Sequence, residues 1–159
     1  MSWWRLGELE TSRGNLDEGL RCLRQGLASG HRTTLISHAL PRVYSAMGPN
    51  RVEAGQPEEA RRLLEEGLAA SAQFGECATC KALMHPVAVE VYAALGDLEE
   101  AGRHTRLAED EARRWSSTAW MAMASASAGV LHLAANRPVV FLLFSTPAFN
   151  SKDISWVEK

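Results

Sequence analysis

GNLDEG at residues 14–19, GQPEEA at 55–60 and GDLEEA at 96–101 are three versions of one phrase. Gly14, Gly55 and Gly96 stand 41 residues apart, and a further 40 residues reach Asn136 in NRPVV. The likeness extends past the glycine. Arg21, Leu23, Gly26, Leu27 and Ala28 return as Arg62, Leu64, Gly67, Leu68 and Ala69. A fixed period of this size marks stacked repeats, in which no unit can bury its apolar face alone.

Before each phrase the apolar residues fall at helical spacing. They are Leu35, Ile36, Ala39, Leu40, Val43, Tyr44 and Met47 in the first such run, and Cys80, Met84, Val87, Ala88, Val91, Tyr92 and Leu95 in the next. In the third they are Ala119, Trp120, Met123, Ala126, Val130 and Leu133. The glycine, or Asn136, then closes the helix in the left-handed conformation. A second helix starts at once. Asn15 with Glu18, and Asp97 with Glu100, have capping-box spacing, and Pro57 takes the first helical position in the middle copy. Gly19, Ala60 and Ala101 share one register, where a small residue lets two helices approach. The unit is therefore helix, tight turn, helix, and the fold class is all-α. The first helices are expected at about 2–13, 33–47, 77–95 and 117–135. Pro41 and Pro86 are expected to kink or shorten their helices, and Gly48-Pro49-Asn50 to break one, leaving a short helical turn over 51–54.

Bulk properties narrow the function. A chain of 159 residues with net charge −2 carries no nucleic-acid footprint. No apolar run approaches the ~18–20 residues of a membrane span. MSWWRLGELE lacks the basic and long apolar regions of a signal peptide. Three cysteines, an odd number, argue against a secreted disulfide framework. These features predict a cytoplasmic protein with no cofactor.

Trp3, Leu6 and Gly7 match the W-x-x-L-G opening of a tetratricopeptide (TPR) repeat, and Gly19, Ala60 and Ala101 match its later alanine. Glu10 stands where that family has tyrosine, and the period exceeds its usual ~34 residues. With LEEGLAASAQFGECATC and GDLEEAGRHTRLAEDEARRW, residues 1–138 resemble the divergent repeats of bacterial transcriptional activators of the LuxR and MalT type. The resemblance implies a right-handed superhelix of antiparallel helix pairs, about 3.5 units long. It also implies a sensor or docking array, with ATPase and DNA-binding modules elsewhere. No phosphate loop G-x-x-x-x-G-K-[ST] is present.

The fourth copy departs from the pattern after Pro138, where valine replaces the capping glutamate. Residues 1–138 hold fourteen arginines and one lysine, whereas 139–159 hold two lysines and no arginine, so the composition changes there. Two readings of the tail stay open: a foreign or frame-shifted end, or a cap in which VVFLLF covers the 117–135 helix. Either way an exposed apolar, β-prone segment favours self-association, and a homodimer through the tail is expected.

No residue set points to catalysis. Cys77-Ala78-Thr79-Cys80 with His85 offers three zinc ligands, but a single C-x-x-C is a weak signal. Structural or reactive thiols are the more ordinary reading, and Cys22 belongs to the core. His31, His38, His104 and His132 show no metal spacing and suit surface or capping roles. Trp3, Trp4, Trp115 and Trp120 suit packing between units. In a helix-pair superhelix the first helices line the concave face. Partner contacts are therefore expected at His38, Arg42, Lys81, His85 and Glu90. The expected function is a non-catalytic protein–protein interaction module. A small-ligand sensor with a pocket of Tyr92, Trp115 and Trp120 is the second reading, and a Cys/His metal protein the third.

Overall fold

A computed structural model describes residues 3–75 and 77–137. The tail, with its expected capping and dimerisation, lies outside the described residues. All regular structure there is helical: α1 (Trp3–Ser12), α2 (Leu16–Gly30), α3 (Ile36–Glu53), α4 (Pro57–Gln73), α5 (Ala78–Ala82), α6 (Met84–Ala94), α7 (Leu98–Trp115) and α8 (Thr118–Ala134). No described helix is long and apolar enough to cross a membrane.

The left-handed closures stand where the phrases place them. Gly14, Gly55, Gly96 and Asn136 have φ of 82°, 71°, 77° and 53°, values that glycine adopts freely and asparagine tolerates. The starts of the second helices differ. Asp97 caps α7 by accepting from the Glu100 N–H at 3.0 Å, and Pro57 opens α4. Asn15 makes no cap. Its amide instead donates to Glu10 Oε2 at 2.7 Å, which corrects the capping-box expectation at that turn.

Successive helices pack pairwise: α1 on α2, α3 on α4, α6 on α7 and α7 on α8. The helices ahead of the glycines also touch one another, α1 on α3, α3 on α6 and α6 on α8. Close approaches recur with the sequence period. A Cβ on Gly26 would meet Trp3 Cβ and Val43 Cγ2, each at 3.4 Å. A Cβ on Gly67 would meet Tyr44 and Met84, the residues 41 positions further on. The second contact is tighter, with Tyr44 Cβ at 2.6 Å and Met84 Cε at 2.5 Å. The methionine end can move, but the tyrosine Cβ is fixed to its backbone. Gly67→Ala is therefore expected to cost about 1–3 kcal/mol by forcing α3 and α4 apart. Gly26→Ala meets only ordinary contacts, and gaining up to ~1 kcal/mol of helix propensity should leave it neutral or better. Urea denaturation of the two variants checks the pair; equal effects would show that these glycines are not close-packed.

The main core joins Leu20, Leu23, Leu40, Val43, Tyr44, Met47, Leu63, Leu64, Met84 and Ala88. A smaller one joins Ala108, Ala112 and Ala124 under Trp120.

The expected break at Gly48-Pro49-Asn50 does not occur. α3 runs unbroken through Pro41 and Pro49. Pro49 removes the donor for the Ser45 carbonyl, but Ser45 and Pro49 both border an open groove where water can take its place. Gly48 is a packing residue, since a Cβ there would lie 2.5 Å from Val87 Cγ1. Just past Pro49, Asn50 is fully buried; its amide donates to Thr11 Oγ1 and to the Leu16 carbonyl, each at 2.9 Å. Arg51 donates to Asn50 Oδ1 from Nε at 2.9 Å. Pro86, by contrast, does interrupt its helix. α5 ends at Ala82 and α6 restarts at Met84, which puts Pro86 in a first turn where no N–H is needed.

Candidate functional site

One groove gathers residues from each helix that precedes a closing glycine or Asn136. α1 supplies Trp4, Arg5, Glu8 and Thr11, and α3 supplies Arg42, Ser45 and Pro49. α6 supplies Pro86, Val87 and Glu90, and α8 supplies Met123, Ala126 and Val130. Its volume is about 660 Å³. The α8 apolar run was expected to face the core. Of that run Trp120 does pack on a core cluster, but Met123, Ala126 and Val130 line the groove, together with the buried Ser127. The helix is apolar on nearly every side, so its sequence cannot mark one face.

Charge in the groove is mixed. The guanidinium carbon of Arg5 lies 3.8 Å from the Trp4 ring centroid, and that of Arg42 5.9 Å. Arg42 Nε is buried without a hydrogen-bond partner among the described residues. Burial, with Glu53 as a lesser cause, holds the Glu90 carboxyl above the usual range. Among the described residues no hydrogen bond or ion pair compensates it.

Of the expected contact residues, Arg42 and Glu90 line the groove; His38, Lys81, His85, Tyr92, Trp115 and Trp120 do not. Trp120 lies on the Ala108/Ala112/Ala124 cluster, and Trp115 Nε1 donates to Glu111 Oε2 at 3.1 Å. Tyr92 stacks on His104 with centroids 5.6 Å apart. The expected pocket of these three rings therefore does not form within the groove.

His104 corrects the surface assignment: it is buried, as is His85. Their Nδ1 atoms lie 3.1 Å apart, and Arg103 Nη2 lies 2.9 Å from His104 Nε2. Arginine can only donate, so His104 Nε2 must accept. The His104 proton then sits on Nδ1 and is donated to His85 Nδ1. Burial chiefly, with the Arg103 charge and His85, pushes the His104 imidazole down to about 4. Burial likewise lowers His85.

His85 is consequently not a companion of the two thiols. That place belongs to His38, reached from α3. Cys80 Sγ lies 3.5 Å from His38 Nδ1 and 3.2 Å from Cys77 Sγ, and the three donor atoms lie within 4.8 Å of one another. Thr79 Oγ1 is 3.3 Å from Cys77 Sγ. That contact leads in holding the Cys77 thiol at about 7, whereas burial pushes the Cys80 thiol up. The signal for His38 was present in the period: residue 38 plus one repeat falls at Thr79, beside Cys80. Cys22 is fully buried, as expected of a core residue.

No protein-family model, curated protein or solved structure matches the chain.

Proposed function

We propose that the chain is a non-catalytic interaction module, a TPR-like right-handed superhelix of helix pairs whose groove receives a peptide segment of a partner protein. The observation that carries this is the convergence of α1, α3, α6 and α8 on one groove. Trp4, Val87, Met123 and Val130 offer apolar anchors there, and Arg5, Glu8, Arg42 and Glu90 offer charges of both signs to fix orientation. The recurrence of the Gly26 and Gly67 contacts 41 residues apart supports the stacked-repeat reading. The resemblance of residues 1–138 to LuxR- and MalT-type activators suggests a sensor or docking role in such a regulator, which is a warrant from fold rather than from the site.

A small-molecule ligand is favoured by one observation: the groove volume lies within the range typical of such pockets. Its lining would be Trp4 and Met123 rather than the three rings first expected.

Peptides selected from a random library against the full chain test the first reading. Met123→Asp, a change at an exposed side chain, should weaken the selected peptides at least about tenfold, the effect of losing an interface anchor. Trp115→Ala, outside the groove, should leave them unchanged. Titration calorimetry decides. Wild-type affinity in Met123→Asp, or a large loss in Trp115→Ala, would remove the groove from consideration.

A further inference from the structure

We propose that His38, Cys77 and Cys80 bind one zinc-class divalent cation, tying α5 to α3, with water completing a tetrahedron. The donors are two sulfurs and one imidazole nitrogen, the ligand chemistry that borderline-soft cations prefer. They converge from separate segments: Cys77 and Cys80 bracket the start of α5, whereas His38 lies on α3, 42 residues from Cys80.

The distances lie near a metal geometry. A tetrahedral zinc with its usual bond lengths sets sulfur–sulfur edges of about 3.8 Å and sulfur–nitrogen edges of about 3.6 Å. The Cys80–His38 separation of 3.5 Å matches its edge, the Cys77–Cys80 separation of 3.2 Å is about 0.6 Å short of the sulfur–sulfur edge, and all three donors lie within 4.8 Å of one another. Small side-chain rotations suffice. Thr79 Oγ1, already 3.3 Å from Cys77 Sγ, supplies the kind of outer hydrogen bond that steadies a thiolate ligand.

Charge closes the case for a divalent ion. Two thiolates and a neutral imidazole around a doubly charged cation sum to zero, so no net charge is left in this partly buried place. Binding displaces the thiol protons into solvent. His38 is exposed, Cys77 half-buried and Cys80 buried, so the cluster spans from solvent to core. Three protein ligands leave one position open, which distinguishes the site from a closed four-ligand structural one.

The site also borders the groove. Arg42, a groove residue, favours the Cys80 thiolate through its nearby guanidinium. The metal proposal stands whether or not the groove binds a peptide.

Cobalt(II) titration of the full chain, kept under a non-thiol reductant, tests it. Saturation at about one cobalt per chain is expected, with sulfur-to-cobalt charge-transfer absorption and the intense visible bands of tetrahedral coordination. Zinc should displace the cobalt and raise the melting temperature. Cys77→Ser should abolish the charge-transfer signal or halve it, and His38→Ala should weaken binding at least about tenfold. Neither change touches a fully buried side chain. Cys22→Ser and His85→Ala should bind as the unaltered chain does. Well under one cobalt per chain, absence of the sulfur band, or unaltered binding in His38→Ala would each overturn the proposal.

Discussion

Leu64→Ala should lower the unfolding free energy by ~2–5 kcal/mol, with the helix signature of the folded protein retained. Leu64 and its counterpart Leu23, one period earlier, are fully enclosed in the same core cluster. Truncation removes the transfer free energy of the lost carbons and leaves a cavity, because neighbours on α3 and α6 relax only partly. Leu23→Ala should behave alike. Leu35, whose sequence spacing also looked like a core position, is 61% exposed, and its truncation should change stability by under about 0.5 kcal/mol. Urea denaturation of the three variants separates them. A loss below ~1 kcal/mol at Leu64 would mean that the observed register of α4 is wrong.

Acid should destabilise the protein through His104, by up to about 3 kcal/mol between neutral pH and pH 4. The sign follows from where the proton goes. Unfolded, the imidazole titrates near 6.5; folded, it titrates at about 4. Between those values the unfolded chain binds a proton that the folded chain refuses, so stability falls as pH falls through this window. Below about 4 both states are protonated and the loss levels off. The packing explains the refusal. A proton added to His104 Nε2 would point at the Arg103 guanidinium, and a proton on His85 Nδ1 would face the His104 N–H. His85, also lowered, adds to the same slope. Denaturation at pH 7, 5.5 and 4 measures it. His104→Asn, uncharged throughout, should flatten the slope even if its absolute stability drops. A slope unchanged in that variant would assign the acid sensitivity to other groups.

Local chemistry made much of this fold legible. A glycine with positive φ leaves a strong sequence mark, because other residues strain there, and Gly14, Gly55 and Gly96 accordingly fixed the turns and the period. The small register at Gly19, Ala60 and Ala101 was readable for the same steric reason; all three are buried. Pro49 misled because its local cost is real but tertiary packing outweighs it: α3 continues through it while its neighbours hold the helix in place. Exposed and core faces of α8 could not be separated, since amphipathicity was the only signal and α8 has little. At the site, nearness in sequence paired His85 with the thiols, whereas the packing of α5 on α3 brings His38 to Cys80. His85 instead found His104, a contact between helices that no spacing rule announces. Arg42 and Glu90 were reachable because they lie on helices ahead of the closing glycines, off the core stripe.

Asn50 gives the sequence period a limit of its own. One period later the same register holds Val91, equally buried and packed toward Gly48. The two junctions thus speak different chemical languages: Asn50 looks back to Thr11 and the Leu16 carbonyl, whereas Val91 looks back to Gly48. Positions one period apart in the sequence are therefore not interchangeable. A shuffled chain that moved Asn50 away from Thr11 and the Leu16 carbonyl would bury an amide without a partner, at about 1–3 kcal/mol. Recurrence in the sequence is thus not recurrence of contact, and a designer adding one more 41-residue period should copy the valine position and leave the asparagine one where it stands.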